Sequence, residues 1–335
     1  MKRTFLIATL ACLSACGPEP RTSEPQTPEA LAPTTSAITA ATTAPTSTLA
    51  APASIVEATS LLGRPLLRQM DFPNRDQLEA NLTTAQADFA ANPDSADALI
   101  WLGRRQAYLW QYQDAIATFT QGIERFPEDP RMYRHRGHRY ITVRNLDAAI
   151  ADFEKAAELF AGQADEIEPD GQPNAMNMPR STLQFNVWYH LGLAHYLKGD
   201  FEQALAAYEE CMKVSDNDDS IVATADWYWM TLMRLGRVEE ATALLGQIHA
   251  DMNIIENDSY LRRMLMYKGE AAPESLLDTT TADDLTIATQ GYGVGNWYLV
   301  NGDTEMARQI FERVIAGRSW SAFGYVAAEA ELSRM

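Results

Sequence analysis

The chain is poor in cysteine. Only Cys12, Cys16 and Cys211 occur among 335 residues, and the first two lie close to the N-terminus. One thiol remains for the body of the protein, which excludes a disulfide framework whatever the redox state of its compartment. Basic charge is also short. Twenty-seven Lys and Arg face 45 Asp and Glu, giving a formal charge of −18. Polyanions are repelled by such a surface, so a general affinity for nucleic acid or anionic lipid is disfavoured. The sequence also lacks a nucleophile motif, a phosphate loop and a metal-ligand cluster. Gly291-x-Gly293-x-Gly295 lacks the preceding strand and the offset third glycine of a dinucleotide fingerprint. His135 and His138 are three apart, and His190 and His195 are five apart, which makes weak pairs for a metal; His195 falls where a hydrogen-bonded core histidine is expected. No catalytic residue, cofactor or metal is therefore expected.

What is present begins with an address. Lys2 and Arg3 precede an apolar stretch, Phe5 to Leu13, far shorter than the ~20 residues a spanning helix needs. This has the form of a signal peptide. Its end, Leu13-Ser14-Ala15-Cys16, resembles the bacterial lipobox, which implies cleavage before Cys16 and lipidation of its thiol. An ordinary secretory signal with an incidental cysteine is the lesser alternative. Stable attachment needs more than one acyl chain, a condition met by a diacylated cysteine. Gly17 stands where an aspartate resembles the inner-membrane retention signal, so the resemblance implies an outer-membrane anchor facing the periplasm. From Gly17 to about Ala53, Pro, Thr, Ser and Ala dominate. Such a stretch cannot bury enough apolar surface to offset its ordering entropy, and reads as a tether of ~35 Å mean reach.

The central feature is a period. Gly103 and Gly137, Ala115 and Ala149, and Phe119 and Phe153 are each 34 residues apart. Leu102-Gly103, Ala115, Phe119 and Pro127 mark one unit, and Tyr133, Gly137, Tyr140, Ala149, Phe153 and Ala156 mark the next, with Arg136 where leucine is usual. Trp188-x2-Leu191-Gly192, Gly199-Asp200, Ala204, Tyr208 and Cys211 mark a third, in which Cys211 reads as an inert core thiol. A divergent unit has Trp229 in place of the glycine, a degraded one runs from Tyr260 to Leu277, and a last one carries Gly295, Tyr298, Gly302-Asp303, Ala307 and Phe311. This pattern resembles the tetratricopeptide repeat, the TPR, and the whole resembles a bacterial TPR lipoprotein. The resemblance implies an all-α, right-handed superhelical solenoid of antiparallel helix hairpins, preceded by the signal peptide and a disordered tether.

The expected divisions are 1–15, signal peptide; 16–55, lipid-anchored tether; 56–94, N-terminal helices forming an incomplete repeat; 95–161, two repeats; and 162–183, an acidic Pro/Gly loop. Residues 184–317 then hold the third and later units, and 318–335 a solvating helix that caps the array.

In this acidic chain Arg131, Arg134, Arg136, Arg139 and Arg144 crowd one stretch. By resemblance to the TPR superhelix, Arg131, Arg134 and His138 line the concave groove with Arg104 and Tyr108, and Tyr189 and Tyr196 continue that face. Arg144 falls near the interhelix turn. Arginine forks suit carboxylates, and tyrosines give amphipathic contact area. A protein or peptide ligand of acidic character, or one with a free C-terminus, fits that groove. The equally weighted alternative pairs these arginines internally, with acidic neighbours or with a loop of Asp165 to Asp170 folded across them. Ile100 and Leu193 occupy positions that a Lys/Asn carboxylate clamp would need polar. The expected role is a non-catalytic adaptor or scaffold at the cell envelope. The alternatives are an envelope enzyme or small-anion receptor using the Arg/His face, and a self-associating structural spacer. If Cys16 carries the anchor, Cys16→Ser moves the protein out of the membrane fraction, and intact-mass spectrometry of the wild type shows the acyl chains on Cys16.

Overall fold

In the computed structural model the described residues are 54–277 and 283–335. The signal peptide and nearly all of the expected tether lie outside them. Among the described residues thirteen helices pack chiefly against their neighbours in sequence: α1 (Arg75–Ala91) against α2 (Ala96–Tyr108), then α3 (Tyr112–Arg125), α4 (Pro130–Thr142) and α5 (Leu146–Phe160). Next come α6 (Leu183–Lys198) with α7 (Phe201–Val214), α8 (Asp218–Arg234) with α9 (Val238–Leu245), and α10 (Asp258–Tyr267) followed by a 3-10 turn, Pro273–Leu276. Helices α11 (Asp284–Val300), α12 (Thr304–Val314) and α13 (Phe323–Arg334) complete the array. Helix starts follow local chemistry. The side chains of Ser95, Asp129, Asn145, Thr182 and Asn217 each accept a backbone N–H of the first turn.

Each regular hairpin closes on one contact. An aromatic ring on the second helix lies flat against a glycine on the first: Phe119 on Gly103, Phe153 on Gly137, Tyr208 on Gly192 and Phe311 on Gly295. A β-carbon at Gly192 would stand 2.7 Å from the Tyr208 ring, and one at Gly137 would stand 3.0 Å from Phe153. Any larger residue would push the helices apart. Where Trp229 replaces glycine, its ring instead stacks on Tyr267 at 3.9 Å. Arg136, in the usual leucine place, forks onto Asp152 at 2.7 and 2.8 Å. Cys211 is fully buried, and burial raises its pKa to about 12, consistent with an inert thiol.

The turn inside each hairpin needs a left-handed residue. Gly199, Gly236, Gly269 and Gly302 fill that place in the later units, but Trp110 (φ 60°) and Arg144 (φ 67°) fill it in the first two. A side chain there costs about 1–2 kcal/mol. Both side chains reach the C-terminal segment: Trp110 packs edge-on against Trp320 at 5.2 Å, and Arg144 pairs with Glu329 at 2.9 Å and donates to the Trp320 carbonyl at 2.7 Å. Arg144 thus stands at the interhelix turn, as its sequence position implies, and is also a buried closing residue of the fold.

Two expectations are corrected. Residues 56–94 do not form helices alone, because Val56–Thr59 and Pro65–Leu67 pair as an antiparallel β-hairpin before α1. That hairpin is held by tertiary contacts: Gln113 donates to Glu57 from both backbone and side chain, and the Trp320 indole donates to the Leu67 carbonyl at 2.8 Å. The last helix is not a solvating cap either. Residues Gly324 to Glu331 of α13 are buried, against α11, α12 and α6. Its Phe323 ring meets His138 of α4 and His190 of α6 at 5.3 and 5.4 Å, so α13 lies on the face made by the first helices of the units. Its buried carboxylates are neutralised, Glu329 by Arg144 and Glu331 by Arg234 and Arg334 at 2.5 and 2.9 Å.

Breaking a buried pair from one side leaves an uncompensated charge. Arg144→Met or Glu329→Gln should each cost about 3–5 kcal/mol. The double change Arg144→Met/Glu329→Leu should recover part of that loss, giving a coupling of at least ~1 kcal/mol in urea unfolding.

Candidate functional site

Helices α2 and α4 lie side by side, and the loop from Gly162 to Thr182 folds back over them. The loop is pinned at its base by a bridge between Ile167 and Thr182 and by Glu168 N–H donating to Ser181 O at 3.0 Å. Between loop and helices runs a cleft with two compartments. The outer one, about 220 Å³, is lined by Asp97, Trp101, Arg104, Arg131, Glu166 and Ile167 among others. The inner one, about 110 Å³, is lined by Arg104, Tyr108, Arg134, His135, His138 and Arg139, with Glu168 at its edge. Arg104, His135 and Glu168 belong to both.

Helical spacing explains the convergence. Arg104 and Tyr108 are one turn apart on α2 and share a face, with the guanidinium 3.4 Å from the hydroxyl and 4.4 Å above the Trp101 ring. On α4, Arg131, Arg134 and His138 rise at three- and four-residue spacing, and His135 and Arg139 form a second such pair beside them. Arg131 is partly exposed, held in a fork by Asp129 at 2.6 and 2.9 Å and by Asp97 at 2.6 Å. These contacts, Asp129 above all, raise its pKa. Arg134 is buried, 2.9 Å from Glu168, and 3.0 Å from the His135 ring nitrogen. Asn186 donates to the same carboxylate at 3.0 Å. The internal pairing weighed from sequence is thus met by Arg131 on Asp97 of the adjacent helix, by Arg136 on Asp152 and by Arg134 on Glu168 of the loop, while Arg104 has no acid within salt-bridge distance among the described residues.

The loop backbone also forms a roof. Arg105 donates to the Gly171 carbonyl at 3.0 Å, and a β-carbon on Gly171 would overlap the Tyr108 hydroxyl and stand 2.9 Å from the Arg104 guanidinium. A larger residue there would push both side-chain ends aside.

Five of the seven groove candidates meet in this cleft: Arg104, Tyr108, Arg131, Arg134 and His138. Tyr189 and Tyr196 do not. Tyr189 is buried with its hydroxyl 2.8 Å from that of Tyr260, and Tyr196 is fully buried, donating to Asn296 at 3.1 Å and accepting from Tyr292 at 2.8 Å. Expected to line an accessible groove, both instead fill the interior, because α10 meets Tyr189 and α11 meets Tyr196 there. Arg139 enters the site although its sequence position did not single it out. The signal was its place one turn after His135, on the stripe adjacent to the one read as the groove.

Three histidines lie around the inner compartment. The His138 and His190 rings are 4.5 Å apart, and His135 stacks on Phe119 at 5.4 Å. Burial first, then neighbouring arginines, hold all three below the ordinary range, His190 to about 3. Depressed folded values mean that the unfolded chain binds these protons first. Their contribution to stability is present above pH ~6.5 and is lost on acidification towards the folded values. Urea unfolding between pH 7 and 5 should therefore show stability falling with pH by up to about 1.4 kcal/mol per unit for each histidine. His190→Gln should flatten that slope by one proton's worth.

Among the described residues no helix is long and apolar enough to cross a membrane, and no group of three or more His, Cys, Asp or Glu is gathered as a metal site. No curated protein matches the sequence. Among solved structures the chain is similar to a tetratricopeptide repeat protein from Parabacteroides merdae, at 15% identity over 77% of this chain and 94% of that one, with a TM-score of 0.46. It is also similar to TTC0263, a TPR protein of Thermus thermophilus, at 19% identity over 58% and 91%, with a TM-score of 0.41. A third is YrrB, described as a TPR protein with an unusual peptide-binding site, at 15% identity over 69% and 91%, with a TM-score of 0.40. In the sequence itself, residues 102–164 and 185–218 match tetratricopeptide repeat families. The helix pairs α2 to α5 and α6 with α7, with glycine under an aromatic ring in each hairpin, are therefore tetratricopeptide repeats.

Proposed function

We propose that this protein is a non-catalytic adaptor that holds an acidic segment of a protein partner in the cleft between α2, α4 and the 162–182 loop. The observation that carries this reading is Arg104, held 4.4 Å above the Trp101 ring with no acid within salt-bridge distance among the described residues, at a 220 Å³ compartment that Arg131 also lines, in a chain whose net charge is −18. A guanidinium on an aromatic platform is a preorganised carboxylate partner. Repeats of this kind form protein-interaction scaffolds, which supports partner binding as the role. The proposal extends to place: Cys16 holds the body at the cell envelope, at the outer membrane facing the periplasm, and the Pro/Thr-rich stretch gives it reach.

Partner binding by the folded body is tested with a pull-down from detergent-solubilised envelope, followed by calorimetry on the protein recovered. Arg104→Glu/Arg131→Glu should weaken affinity at least about tenfold, since two charge-assisted contacts reverse sign. Wild-type affinity should also fall as salt rises, because partly exposed charges are screened over ~8–10 Å. Arg134 is the wrong residue to reverse, as it is buried on Glu168. Equal binding by wild type and the double variant would place the partner elsewhere on the molecule.

A further inference from the structure

The inner compartment holds an imbalance of charge that the fold does not resolve. Three guanidiniums, Arg104, Arg134 and Arg139, face a cavity of about 110 Å³, and Glu168 is the only carboxylate among its lining residues. That carboxylate is committed to Arg134 and Asn186. Among the described residues Arg139 has no carboxylate within salt-bridge distance and its side chain makes no hydrogen bond. Its nearest marked contact is the face of the Tyr112 ring, 5.7 Å away. Arg104 has the Tyr108 hydroxyl and the Trp101 ring, but no acid. Burial above all, with the neighbouring arginines, lowers the Arg139 pKa to about 10. Elsewhere the buried arginines are matched: Arg144 by Glu329, and Arg263 by Asp226.

We infer that this cavity is an oxyanion site, in which Arg104 and Arg139, with the Tyr108 hydroxyl, hold one carboxylate or phosphate group beside Glu168. The volume suits that class. At ~30 Å³ per water it has room for three or four water-sized groups, enough for an ion-sized head and too little for a peptide side chain with its backbone. The donors suit it as well, since guanidiniums presented by two neighbouring helices match the oxygens of either group. Glu168 on Arg134 shows that this wall already accepts a carboxylate. The inference rests on the reading of the cleft as the partner surface, and adds that the ligand's charged head lodges in the inner compartment. The head comes either from a free small anion or from the terminal carboxylate of a chain.

The test uses the tetherless body, residues 54–335, after a urea melt shows that it unfolds cooperatively; otherwise the full chain in detergent serves. Calorimetry is run with inorganic phosphate, with acetate, and with a short acidic peptide as the free acid and as its C-terminal amide, all at constant ionic strength in chloride. Saturable one-to-one binding of at least one oxyanion is expected. It should be weakened about tenfold or more by Arg139→Gln and by Arg104→Gln, and unchanged by Arg75→Gln on exposed α1. Phosphate as the tightest ligand assigns a free anion, and a preference for the free-acid peptide over its amide assigns a chain terminus; either supports the site. No oxyanion binding by wild type, or equal binding by wild type and both cavity variants, overturns it. If the oxyanion is lost in Arg139→Gln while envelope-partner affinity is unchanged, the cavity stands and the partner reading fails at this site. If the partner is lost in Arg104→Glu/Arg131→Glu while no oxyanion binds, the reverse holds. Arg104→Gln, being less buried, keeps the test decisive should Arg139→Gln fail to fold.

Discussion

The burial of two carboxylates on the last helix is the constraint on which the arrangement turns. Glu329 and Glu331 sit inside the protein, where an unpaired carboxylate would be untenable. Each is met by arginine from a distant part of the chain, Arg144 of the second hairpin and Arg234 of the fourth. These pairs bring sequence neighbourhoods that repeat packing alone would leave apart into one body. They also account for the two left-handed positions that are not glycine. Trp110 and Arg144 tolerate the strain of φ near 60° because their side chains hold the C-terminal segment in place.

The same closure decides where a partner can be met. A stack of helix hairpins offers the face made by its first helices, and here α13 lies on that face over α6 and α11. Tyr189, Tyr196 and Tyr292 become interior groups, Tyr189 bonded to Tyr260 and Tyr196 to Tyr292 and Asn296. What stays accessible is the end of the face around α2 and α4, and there the 162–182 loop narrows it to a cleft. The insertion between the second and third units thus shapes the site rather than decorating the array, with Glu168 setting one wall and the Gly171 crossing setting the roof.

Charge is distributed unevenly for a reason that follows from this geometry. The chain is acidic overall, yet α4 carries arginines at 131, 134, 136, 139 and, just past its end, 144. Each resolves differently. Arg131 is forked by acids at the rim, Arg134 by the loop, Arg136 by Asp152 across its own hairpin, and Arg144 by the last helix. Arg139 alone of the five faces a cavity and finds no acid among the described residues, which makes one helix at once a structural hub and a site.

The repeat period and the packing inside each hairpin were legible in the sequence, because they are local. A glycine and an aromatic sixteen positions later must meet if two short helices fold back on each other, and the tertiary structure only repeats that contact from unit to unit. The loop, with its prolines and acids, was legible for the same reason. The arginine stripe was legible as a cluster, since helical spacing alone puts Arg131, Arg134 and His138 on one face. Which stripe mattered was not, because Arg139 joins the site only once α2 and the loop pack against α4. Nor was the fate of the ends. The β-hairpin of Val56 to Leu67 has no strong period of its own and exists through α3 and Trp320, and the last helix reads as polar until Arg144 and Arg234 neutralise its acids. Contacts between residues nearly two hundred positions apart leave no periodic mark on the chain, so the sequence by itself determined the unit, and only the tertiary structure decided how the array closes and which surface it leaves open.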